Sequence, residues 1–503
     1  MVAHELTCVV LAAGKGTRLK SEVAKVLHRA GGMPLIENVI RACKPLGGDI
    51  LAVVGHQAED VRAAVTPFGA STVLQRPQNG TGHAMLIARA AIGAKARLAI
   101  VMPGDAPLIR TETLGALLDA HRKEHAAATI LTAELNDPAG YGRIVRTRSG
   151  TVSAIVEEKS ANDSEGKIRE VNSGVYCFTL EKLWPCLAEV RPENAHRELY
   201  LTDAIAELNK KGERVVAMRS GEAKEILGCN TRRELAEADR VLRARKAAAL
   251  MDAGVAIYLP ETVLIDAEVE VGADSVIEPG VQLLGKTSIG PHCRIQSGSI
   301  LSDAVIEHHV LVRAYSVITG SRLSAGAMVG PFAHLREGAE LRAGARVGNF
   351  VEVKKSVLGE GVKAMHLTYL GDATIGRESN IGAGTITCNY DGLRKNPTKI
   401  GERVFVGSDS ALVAPVTVGD GAYIAAGSTV TENIPADALA IARGRQVNKP
   451  GWAIERRKRM LEQSSQTEAR SEADGADAAN APKTSHRRTN RKPSSNRRKK
   501  SRR

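Results

Sequence analysis

Aromatic residues and long apolar runs are scarce in this chain of 503 residues. Five Phe, two Trp and eight Tyr make up 3% of it, whereas glycine reaches 48 residues. A core of Val, Ile, Leu and Ala between many tight backbone turns is therefore expected. No apolar run approaches the ~18 residues of a membrane-spanning helix, and no basic segment precedes an apolar core at the N-terminus. These absences predict a protein without a membrane span or a signal peptide.

Paired cysteines and evenly spread charge are also missing. The seven cysteines are scattered without a CxxC pair, which favours reduced thiols in a cytoplasmic protein. The net charge is +13, but residues 483–503 alone hold eleven Lys or Arg and no acid. Residues 456–482 balance five basic against five acidic residues, so residues 1–455 keep only +2. We expect residues 456–503 to be a solvated, disordered basic tail with no dedicated partner. The alternative is that the tail binds nucleic acid or an anionic surface through phosphates, but not as the main function.

A six-residue spacing of aliphatic residues runs through the second half of the chain. Period six fits neither an α-helix nor a half-buried strand, but it fits a parallel β-helix whose short strands each send one aliphatic side chain inward. Repeats of this length predict the left-handed hexapeptide form over residues 255–455, with a break between residues 353 and 375. The positions are Val271, Ile277, Leu283, Ile289, Ile295, Leu301, Ile306, Val312, Ile318, Leu323, Val329, Leu335, Leu341, Val347, Val353, Ile375, Ile381, Ile400, Val406, Leu412, Val418, Ile424 and Val430.

The first half alternates apolar strand candidates with helical stretches. This alternation predicts a doubly wound α/β domain over residues 1–230. Thr231 and Glu234 form a capping box that opens a helical linker, residues 231–254, acting as a rigid spacer. Strands are expected at residues 7–11, 50–54 and 98–102, and helices near residues 33–43, 57–65, 81–92 and 112–125.

Two short segments carry the first chemistry. The stretch LAAGKGTR, residues 11–18, directly follows an apolar strand, and its small residues let backbone N–H groups approach a phosphate chain. A plain strand–turn fits the same residues. Asp105 follows the strand at 98–102, at the edge where open α/β sheets bind ligands, and a carboxylate there suits Mg²⁺.

Further motifs occur with this stretch in a fixed order. They are LAAGKGTR (11–18), AKVLH (24–28), LQRPQNGTGHA (74–84), PGDAPL (103–108), DPAGYGRIV (137–145), VEEK (156–159), VNSGVY (171–176), AMHLTYLGD (364–372) and IGAGTITCNYDG (381–392). The first seven resemble sugar-1-phosphate nucleotidylyltransferases. With the last two, residues 5–453 resemble the bacterial bifunctional N-acetylglucosamine-1-phosphate uridyltransferases and glucosamine-1-phosphate N-acetyltransferases. The resemblance implies a Rossmann-like nucleotidyltransferase domain followed by a left-handed β-helix acetyltransferase domain.

The resemblance implies the residues of a first site. It assigns Asp105 and Asn230 to Mg²⁺, while Asn230 taken alone equally fits a helix N-cap. Arg18 and Lys25 would neutralise the triphosphate, and Gln75 offers a donor and an acceptor to uracil. The implied UTP and UDP-N-acetylglucosamine contacts are Leu11, Ala12, Ala13, Gly14, Arg18, Lys25, Gln75, Gly80, Thr81, Gly104, Gly142, Glu157, Asn172 and Asn230.

The resemblance also implies a second site on the β-helix. His366 would be the general base that deprotonates the glucosamine ammonium, a task that suits an imidazole near neutral pH, and Glu352 is a candidate to orient it. Arg336, Lys354, Tyr369 and Asn380 correspond to the glucosamine 1-phosphate contacts. Ala383, Asn389, Tyr390, Ser408, Ala426 and Arg443 correspond to the acetyl-CoA contacts.

The implied protein is a cytoplasmic bifunctional enzyme that makes UDP-N-acetylglucosamine for the cell envelope. It acetylates glucosamine 1-phosphate with acetyl-CoA, and then transfers uridylyl from UTP to the N-acetylated product with release of pyrophosphate. The family also implies a homotrimer with acetyl-transfer sites at subunit junctions. One alternative is a single-activity nucleotidylyltransferase whose β-helix is only an oligomerisation scaffold; the presence of His366, Asn389, Tyr390 and Arg443 speaks against it. Another is a nucleic-acid-binding protein led by its tail, which the neutral body disfavours.

Overall fold

The protein is seen in a computed structural model that describes residues 4–158, 161–191 and 198–479. By its internal contacts the chain divides into two compact units, Met1–Ala442 and Arg443–Arg503. The first unit contains an α/β domain followed by a β-helix. Among the helices in the described ranges, none is both long and apolar enough to cross a bilayer.

A nine-stranded mixed sheet forms the α/β domain, beside a two-stranded hairpin. The strands are β1 (Leu6–Ala12), β2 (Arg29–Ala30), β3 (Met33–Pro34), β4 (Asp49–Val54), β5 (Ser71–Leu74), β6 (Leu98–Pro103), β7 (Ala128–Glu134), β8 (Arg143–Arg146), β9 (Val152–Val156), β10 (Glu170–Thr179) and β11 (Val215–Arg219). The sheet runs β11-β7-β10-β6-β1-β4-β5, with β8 joined to β10 and β9 joined to β8. Here β1 is parallel to β4 and β6, whereas β10 is antiparallel to β6 and β7. The three expected strands are confirmed as β1, β4 and β6.

Helices cover both faces of this sheet, so its central strands are apolar on both sides. In β1, for example, Cys8 and Val10 belong to one core and Val9 to the other. The four expected helices are confirmed as α1 to α4, with ends shifted by a few residues. The helices of the domain are α1 (Leu35–Cys43), α2 (Ala58–Val65), α3 (Thr81–Arg89), α4 (Thr111–Lys123), α5 (Leu180–Glu189) and α6 (Leu201–Lys210).

A long helix, α7 (Arg232–Asp252), connects the sheet domain to the β-helix. Its capping box is present as expected, because Thr231 accepts the N–H of Glu234 and the Glu234 side chain accepts the N–H of Thr231. The helix is more than a spacer: Val241 packs in a cluster with residues of the sheet domain, and Leu250 belongs to the core of the β-helix. Its 21 residues span about 32 Å.

The β2–β3 hairpin is tied to both α7 and the first coil of the β-helix. The Gly31 N–H donates to Asp239 Oδ1 at 2.8 Å, and the Gly31 carbonyl accepts the Ala267 N–H at 3.0 Å. Arg243 Nη1 contacts Asp266 Oδ1 at 2.8 Å in a mostly buried ion pair. The Gly31 contacts join the sheet domain to α7 and the β-helix through the hairpin that directly follows AKVLH.

Three parallel sheets of short strands form the faces of a left-handed β-helix, as predicted. The first sheet has β12 (Ala256–Ile257), β15 (Val276–Ile277), β18 (Arg294–Ile295), β21 (Leu311–Val312), β24 (Met328–Val329), β27 (Arg346–Asn349), β30 (Lys363–His366), β33 (Asn380–Ile381), β36 (Phe405–Val406), β39 (Tyr423–Ile424) and β41 (Leu439–Ala440). The second has β13 (Leu264–Ile265), β16 (Gln282–Leu284), β19 (Ile300–Ser302), β22 (Val317–Thr319), β25 (His334–Leu335), β28 (Glu352–Lys354), β31 (Tyr369–Gly371), β34 (Ile386–Cys388), β37 (Ala411–Val413) and β40 (Thr429–Val430). The third has β14 (Glu270–Val271), β17 (Ser288–Ile289), β20 (Val305–Ile306), β23 (Arg322–Leu323), β26 (Glu340–Leu341), β29 (Val357–Leu358), β32 (Ala373–Ile375), β35 (Thr398–Ile400) and β38 (Val416–Val418).

The aliphatic residues at six-residue spacing point into one continuous core. The break expected between residues 353 and 375 is wrong, because Leu358, Ala364 and Leu370 continue the inward row and are fully buried. The small side chain of Ala364 hid this coil from the pattern. The interruption that does occur is a loop after β34, where Tyr390 and Lys395 form an antiparallel bridge outside the regular coils.

The second unit contains helix α8 (Trp452–Ala479). The sequence predicts disorder from residue 456 onward, and the helix corrects this expectation up to residue 479. Ala, Glu, Gln and Arg dominate the segment, and these residues have high helix propensity. Arg459 also pairs with Glu455 one turn earlier. The most basic part of the tail, residues 483–503, lies outside the described residues.

Replacing Gly32 by Ala tests the junction between the two domains. Gly32 has φ +84°, and its Cβ would lie 2.3 Å from the Asp266 carboxyl carbon. Gly47, with φ +72° and nothing within 4 Å of the position that a methyl group would take, is the matched control. Both variants carry a left-handed strain of about 1 kcal/mol, but only Gly32→Ala displaces the Asp266–Arg243 pair. We expect it to lose about 1–3 kcal/mol more in denaturant unfolding; equal losses would contradict the close contact.

Candidate functional site

A cleft of about 610 Å³ opens at the carboxyl ends of β1 and β6, the edge where parallel sheets bind ligands. The loop after β1, the loop before α3, strand β10 and the start of α6 contribute its walls. The structure brings together here eight residues that the sequence assigns to nucleotide or sugar. They are Leu11, Ala13, Gly14, Gln75, Gly80, Thr81, Glu157 and Asn172.

The glycine-rich loop after β1 packs closely on Lys25. Gly16 has φ +65°, and a Cβ there would lie 2.5 Å from the Cβ of Lys25, so only glycine fits. A Cβ on Gly14 would meet nothing within 4 Å. The loop is therefore tightly held on the side of Lys25 and open at Gly14, where a phosphate chain can approach the backbone.

Four polar side chains converge beside this loop. Lys25 Nζ forms an ion pair with Asp105 Oδ2 and donates to Asn230 Oδ1 at 2.7 Å. Arg18 Nη2 donates to the same Asn230 oxygen at 2.7 Å. The Cys229 N–H donates to the Asp105 carbonyl at 2.9 Å, which fixes the segment before α7 against the end of β6. Residues from four separate motifs thus form one charged cluster.

The donor set of this cluster suits a hard divalent cation. Asp105 and Asn230 direct oxygen atoms at one cation, the Lys25 ammonium. In the ranges that the structure covers, no three His, Cys, Asp or Glu side chains form a candidate metal site. A metal here would have two protein ligands and would complete its coordination shell with phosphate oxygens and water. This is the coordination that Mg²⁺ usually has in proteins.

The loop before α3 closes one end of the cleft. Gln75 is almost fully buried, and its Nε2 donates to the Gly80 carbonyl at 3.0 Å and lies 3.1 Å from His83 Nδ1. The Leu201 N–H donates to Thr81 Oγ1 at 3.0 Å, which ties this loop to α6. Because the amide nitrogen of Gln75 is engaged, its Oε1 is the atom left to accept from a ligand.

Glu157 and Asn172 also line the cleft. Burial raises the pKa of Glu157; the hydrogen bond from Thr202, at 3.4 Å, opposes this and the charge of Asp203 adds to it. Asn172 Nδ2 donates to the Tyr176 hydroxyl at 2.7 Å, and its Oδ1 accepts the Gly174 N–H at 3.2 Å. Two polar side chains are thereby held rigidly in a half-buried pocket.

Three predicted contacts lie behind the wall of the cleft. Ala12 is buried within β1, the Gly104 N–H donates to the Leu11 carbonyl at 2.9 Å, and the Gly142 carbonyl accepts the Asn172 N–H at 2.9 Å. The sequence reasoning missed other residues that line the cleft. They are Lys15, Gly16, Thr17, Gln78, Ala84, Pro103, Gly174, Tyr176, Glu198, Tyr200, Leu201 and Thr202. Tyr200 and Thr202 belong to the stretch RELYLTD. Its position at the start of an amphipathic helix is the one sequence signal that could have identified it.

On the β-helix, five residues occupy the same position in successive coils. Each directly precedes a corner residue in the left-handed conformation. The carbonyls of Asn349, Ala383 and Ser408 accept the N–H of the corner one coil later, at 3.1, 2.7 and 2.8 Å. This row, the corner column, consists of Asn349, His366, Ala383, Ser408 and Ala426. Four of its members are predicted site residues, and Asn349 was missed.

His366 is oriented by a neighbour that the sequence reasoning did not find. Its Nδ1 lies 2.8 Å from Asn349 Oδ1. The hypothesis that Glu352 orients His366 is wrong in this structure, because Glu352 instead accepts from Arg336 Nη1 at 2.8 Å. A spacing of 17 residues, one coil, relates Asn349 to His366 and is the signal that could have identified it.

Cations gather on the adjoining sheet. Arg336 and Lys354 line one pocket of about 210 Å³, as expected for two groups predicted to bind the same phosphate. Lys395, from the loop after β34, lies beside Lys354, and its neighbouring charge lowers the pKa of Lys354. Like charges held this close favour an anion between them. The sequence reasoning missed Lys395.

Tyr369, Asn389 and Tyr390 are further residues predicted for the second site. The Tyr369 hydroxyl and the Asn389 amide both lie against Gly371, where a Cβ would meet them at 2.5 and 2.7 Å. Asn389 donates to Asp372 Oδ2 at 2.5 Å, and Tyr390 is largely exposed with its hydroxyl on the Gly392 carbonyl.

Asn380 and Arg443 are the other two residues predicted for the second site. Asn380 pairs in register with Lys363, not with His366. Arg443 is the first residue of the second unit, so its contact with acetyl-CoA stays a prediction. The corner column and the cation pocket therefore account for most, but not all, of the predicted second site.

A nucleotide-binding cleft on an α/β sheet, joined to a β-helix with a histidine in its corner column, defines a nucleotidyltransferase fused to a hexapeptide-repeat acyltransferase. The family model of the MobA-like NTP transferase domain matches residues 8–257, and that of the bacterial transferase hexapeptide matches residues 397–432. The curated protein "Bifunctional protein GlmU" of Koribacter versatilis is 49% identical over 90% of this chain and 98% of its own length. Those of Pelobacter propionicus and Geotalea uraniireducens are 47% and 45% identical, each over its full length.

The chain belongs to the family of bifunctional GlmU proteins. This membership confirms the expected function, a bifunctional uridyltransferase and acetyltransferase that makes UDP-N-acetylglucosamine. The relatives span about nine tenths of the chain.

The raised pKa of Glu157 predicts a pH-dependent change in stability. A carboxyl whose pKa is higher in the folded state costs stability as pH rises from its ordinary value through the raised one. Glu157→Gln removes this cost, so the variant should have a higher Tm than wild type at neutral pH. The gain should shrink as pH falls towards about 4, where the unfolded carboxyl protonates too. The exposed Glu22→Gln is the control; a gain independent of pH would contradict the prediction.

Proposed function

We propose that the cleft binds UTP and N-acetylglucosamine 1-phosphate, and that the corner column and the cation pocket bind acetyl-CoA and glucosamine 1-phosphate. The observation that carries most of this proposal is the stacking of His366 directly below the small residues Ala383 and Ser408. Direct acetyl transfer needs a base whose neighbouring side chains are small, so that a thioester can approach it. The two activities then occupy separate domains of one chain.

Phosphate recognition in the cleft rests on the charged cluster. Arg18 and Lys25 neutralise the triphosphate, while the open backbone at Gly14 donates N–H groups to it. Asp105 and Asn230 would hold Mg²⁺, since their oxygens already meet at one cation, the Lys25 ammonium. A bound Mg²⁺ ion would supply further positive charge to the phosphates. Ala12 and Gly104 contribute by fixing the backbone behind this wall.

Different side chains of the cleft recognise the uracil base and the sugar. Gln75 Oε1 accepts the imide N–H of uracil because the amide nitrogen of Gln75 is engaged by Gly80. Glu157 and Asn172 hold the hydroxyl and acetamido groups of the sugar, supported by their placement in the same cleft as Gln75. Gly142 holds Asn172 through its backbone carbonyl.

Uridylyl transfer is then a matter of position and charge. An oxygen of the sugar phosphate attacks the α-phosphorus of UTP, a new P–O bond forms, and the bond to the departing pyrophosphate breaks. The attacking phosphate is already ionised, so no residue needs to act as a base. Lys25 and Arg18 hold the two anions together against their repulsion.

Acetyl transfer uses His366 as the base. Its Nε2 removes a proton from the glucosamine ammonium, and the freed amine attacks the thioester carbonyl of acetyl-CoA. The C–N bond forms and the C–S bond breaks. Of the two protons that the nitrogen loses on going from ammonium to amide, one leaves with the CoA thiol and the other goes to water. Attack is direct, so none of the seven cysteines is needed. Arg336, Lys354 and Lys395 hold the sugar phosphate, and Tyr369 and Asn380 hold the sugar.

The small side chains above His366 leave a path for the acetyl-CoA arm. Ala383, Ser408 and Ala426 continue the corner column, and Gly382 and Gly407 allow its coils to pack closely: a Cβ on either would meet backbone at 2.6 and 2.4 Å. Asn389 and Tyr390 complete the acetyl-CoA site in this proposal, and the contact of Arg443 with acetyl-CoA stays what the family resemblance implies.

We further propose a cytoplasmic homotrimer. Tyr315, Phe332, Phe350 and Leu367 form an exposed apolar ladder at the corner beside the column, each 50–62% exposed. Neighbouring rings of Tyr315, Phe332 and Phe350 stack at 5.4 and 5.6 Å. A contiguous apolar strip of this kind needs a partner, and a second copy of the chain would cover it next to His366. The free cysteine thiols suit the cytoplasm.

A reciprocal pair of variants tests this division of work. His366→Ala should slow CoA thiol release from acetyl-CoA and glucosamine 1-phosphate at least about a hundredfold, because the base is lost. It should leave pyrophosphate release from UTP and N-acetylglucosamine 1-phosphate unchanged.

Asp105→Asn should do the reverse, since it removes the charge of the metal ligand in the other domain. Each variant is the folding control for the other. Loss of both activities in either variant, or of neither, would contradict the assignment.

A further inference from the structure

Asn349 is the side chain in contact with the proposed base. It lies at the end of β27, and its Oδ1 is 2.8 Å from His366 Nδ1 at the end of β30. The two strands pair in parallel, with Asn349 directly opposite His366 in register. Nothing in the sequence motifs drew attention to this residue.

The backbone around Asn349 brings the two side chains together. A Cβ on Gly348 would lie 1.9 Å from the Met365 carbonyl oxygen, so only glycine allows these coils to approach here. The Leu367 N–H donates to the Asn349 carbonyl at 3.1 Å, and Thr368 Oγ1 donates to the His366 carbonyl at 2.7 Å. Both sides of the contact are therefore held by main-chain interactions.

The contact determines which imidazole nitrogen carries the proton. An amide oxygen only accepts hydrogen bonds, so Nδ1 must be the protonated nitrogen when it contacts Asn349 Oδ1. Nε2 then keeps its lone pair and is free to remove a proton. Glu352, the carboxylate that was expected to orient His366, instead forms an ion pair with Arg336 at 2.8 Å. On the coil after His366, the column position is the uncharged Ala383.

We propose that Asn349 is a positioning residue that holds His366 in the Nδ1–H tautomer, with Nε2 directed at the glucosamine amine. This inference rests on the proposed role of His366 as the base. The Nδ1–H bond to a neutral oxygen keeps the ring from rotating without adding a charge beside it. Asn349 touches no substrate and acts through the ring alone.

Three variants test the role in the full-length protein. Asn349→Ala should lower kcat for CoA thiol release about tenfold or more, while KM for acetyl-CoA changes less than about twofold, because the lost tautomer control affects proton removal and not binding. In Asn349→Asp the carboxylate still accepts a hydrogen bond from the His366 Nδ1–H group, so this variant should recover most of the wild-type kcat. Its negative charge should move the acidic limb of the pH profile of kcat/KM to higher pH by about one unit.

The control is Ser297→Ala. Ser297 occupies the equivalent place before a left-handed corner three coils earlier, and its hydroxyl donates to Glu278 at 3.0 Å, far from the imidazole. It should leave both kcat and the pH profile unchanged. The substrate amine is the same in every reaction, so a shift between variants reports on the enzyme.

Measuring His366→Ala in parallel separates the two levels of the proposal. A slow His366→Ala with a wild-type kcat in Asn349→Ala would overturn the role of Asn349 only. An unshifted acidic limb in Asn349→Asp would also overturn it. An active His366→Ala would overturn the role of His366 as the base, and with it this inference.

Discussion

Parallel pairing between successive coils is the constraint on which this protein's second half depends. Each short strand bonds to the strand one coil away, so every residue has a fixed neighbour above and below it. The inward rows form the core, and the same register sets the outward rows at the corners. His366 therefore lies below Ala383 and above Asn349 without any dedicated local structure.

In the α/β domain, strand ends and not stacked coils bring the site residues together. Its parallel strands finish at one edge, and the residues that follow them meet there: Gly14 after β1 and Asp105 after β6. Lys25 and Asn230 enter from neighbouring segments and close the cluster. The hairpin that follows Lys25 also contacts α7 and the first coil through Gly31, so the phosphate end of the cleft and the β-helix share one rigid support.

Sequence patterns predicted the structural features that repeat along the chain or that lie at strand ends. The aliphatic rows, β1, β4 and β6, the capping box at Thr231 and the meeting of Asp105 with Asn230 were all predictable from spacing or resemblance. Contacts between coils were harder, because coils here have unequal lengths and Ala364 interrupts the aliphatic pattern. Glu352 was the residue expected to orient His366, and Asn349 was missed, because the side chain that contacts the imidazole depends on the register between coils. Helix α8 was missed because composition, and not helix propensity, was used to judge the tail.

The central claim is that one register aligns the base with the path of the acetyl donor. A crystal structure of the full chain with CoA and glucosamine 1-phosphate tests it most directly. We expect the CoA sulfur within hydrogen-bonding reach of the sugar amine beside His366 Nε2, with the pantetheine arm along Ala383, Ser408 and Ala426 and the phosphate among Arg336, Lys354 and Lys395. A thiol bound away from the corner column, or a sugar phosphate outside the cation pocket, would contradict it.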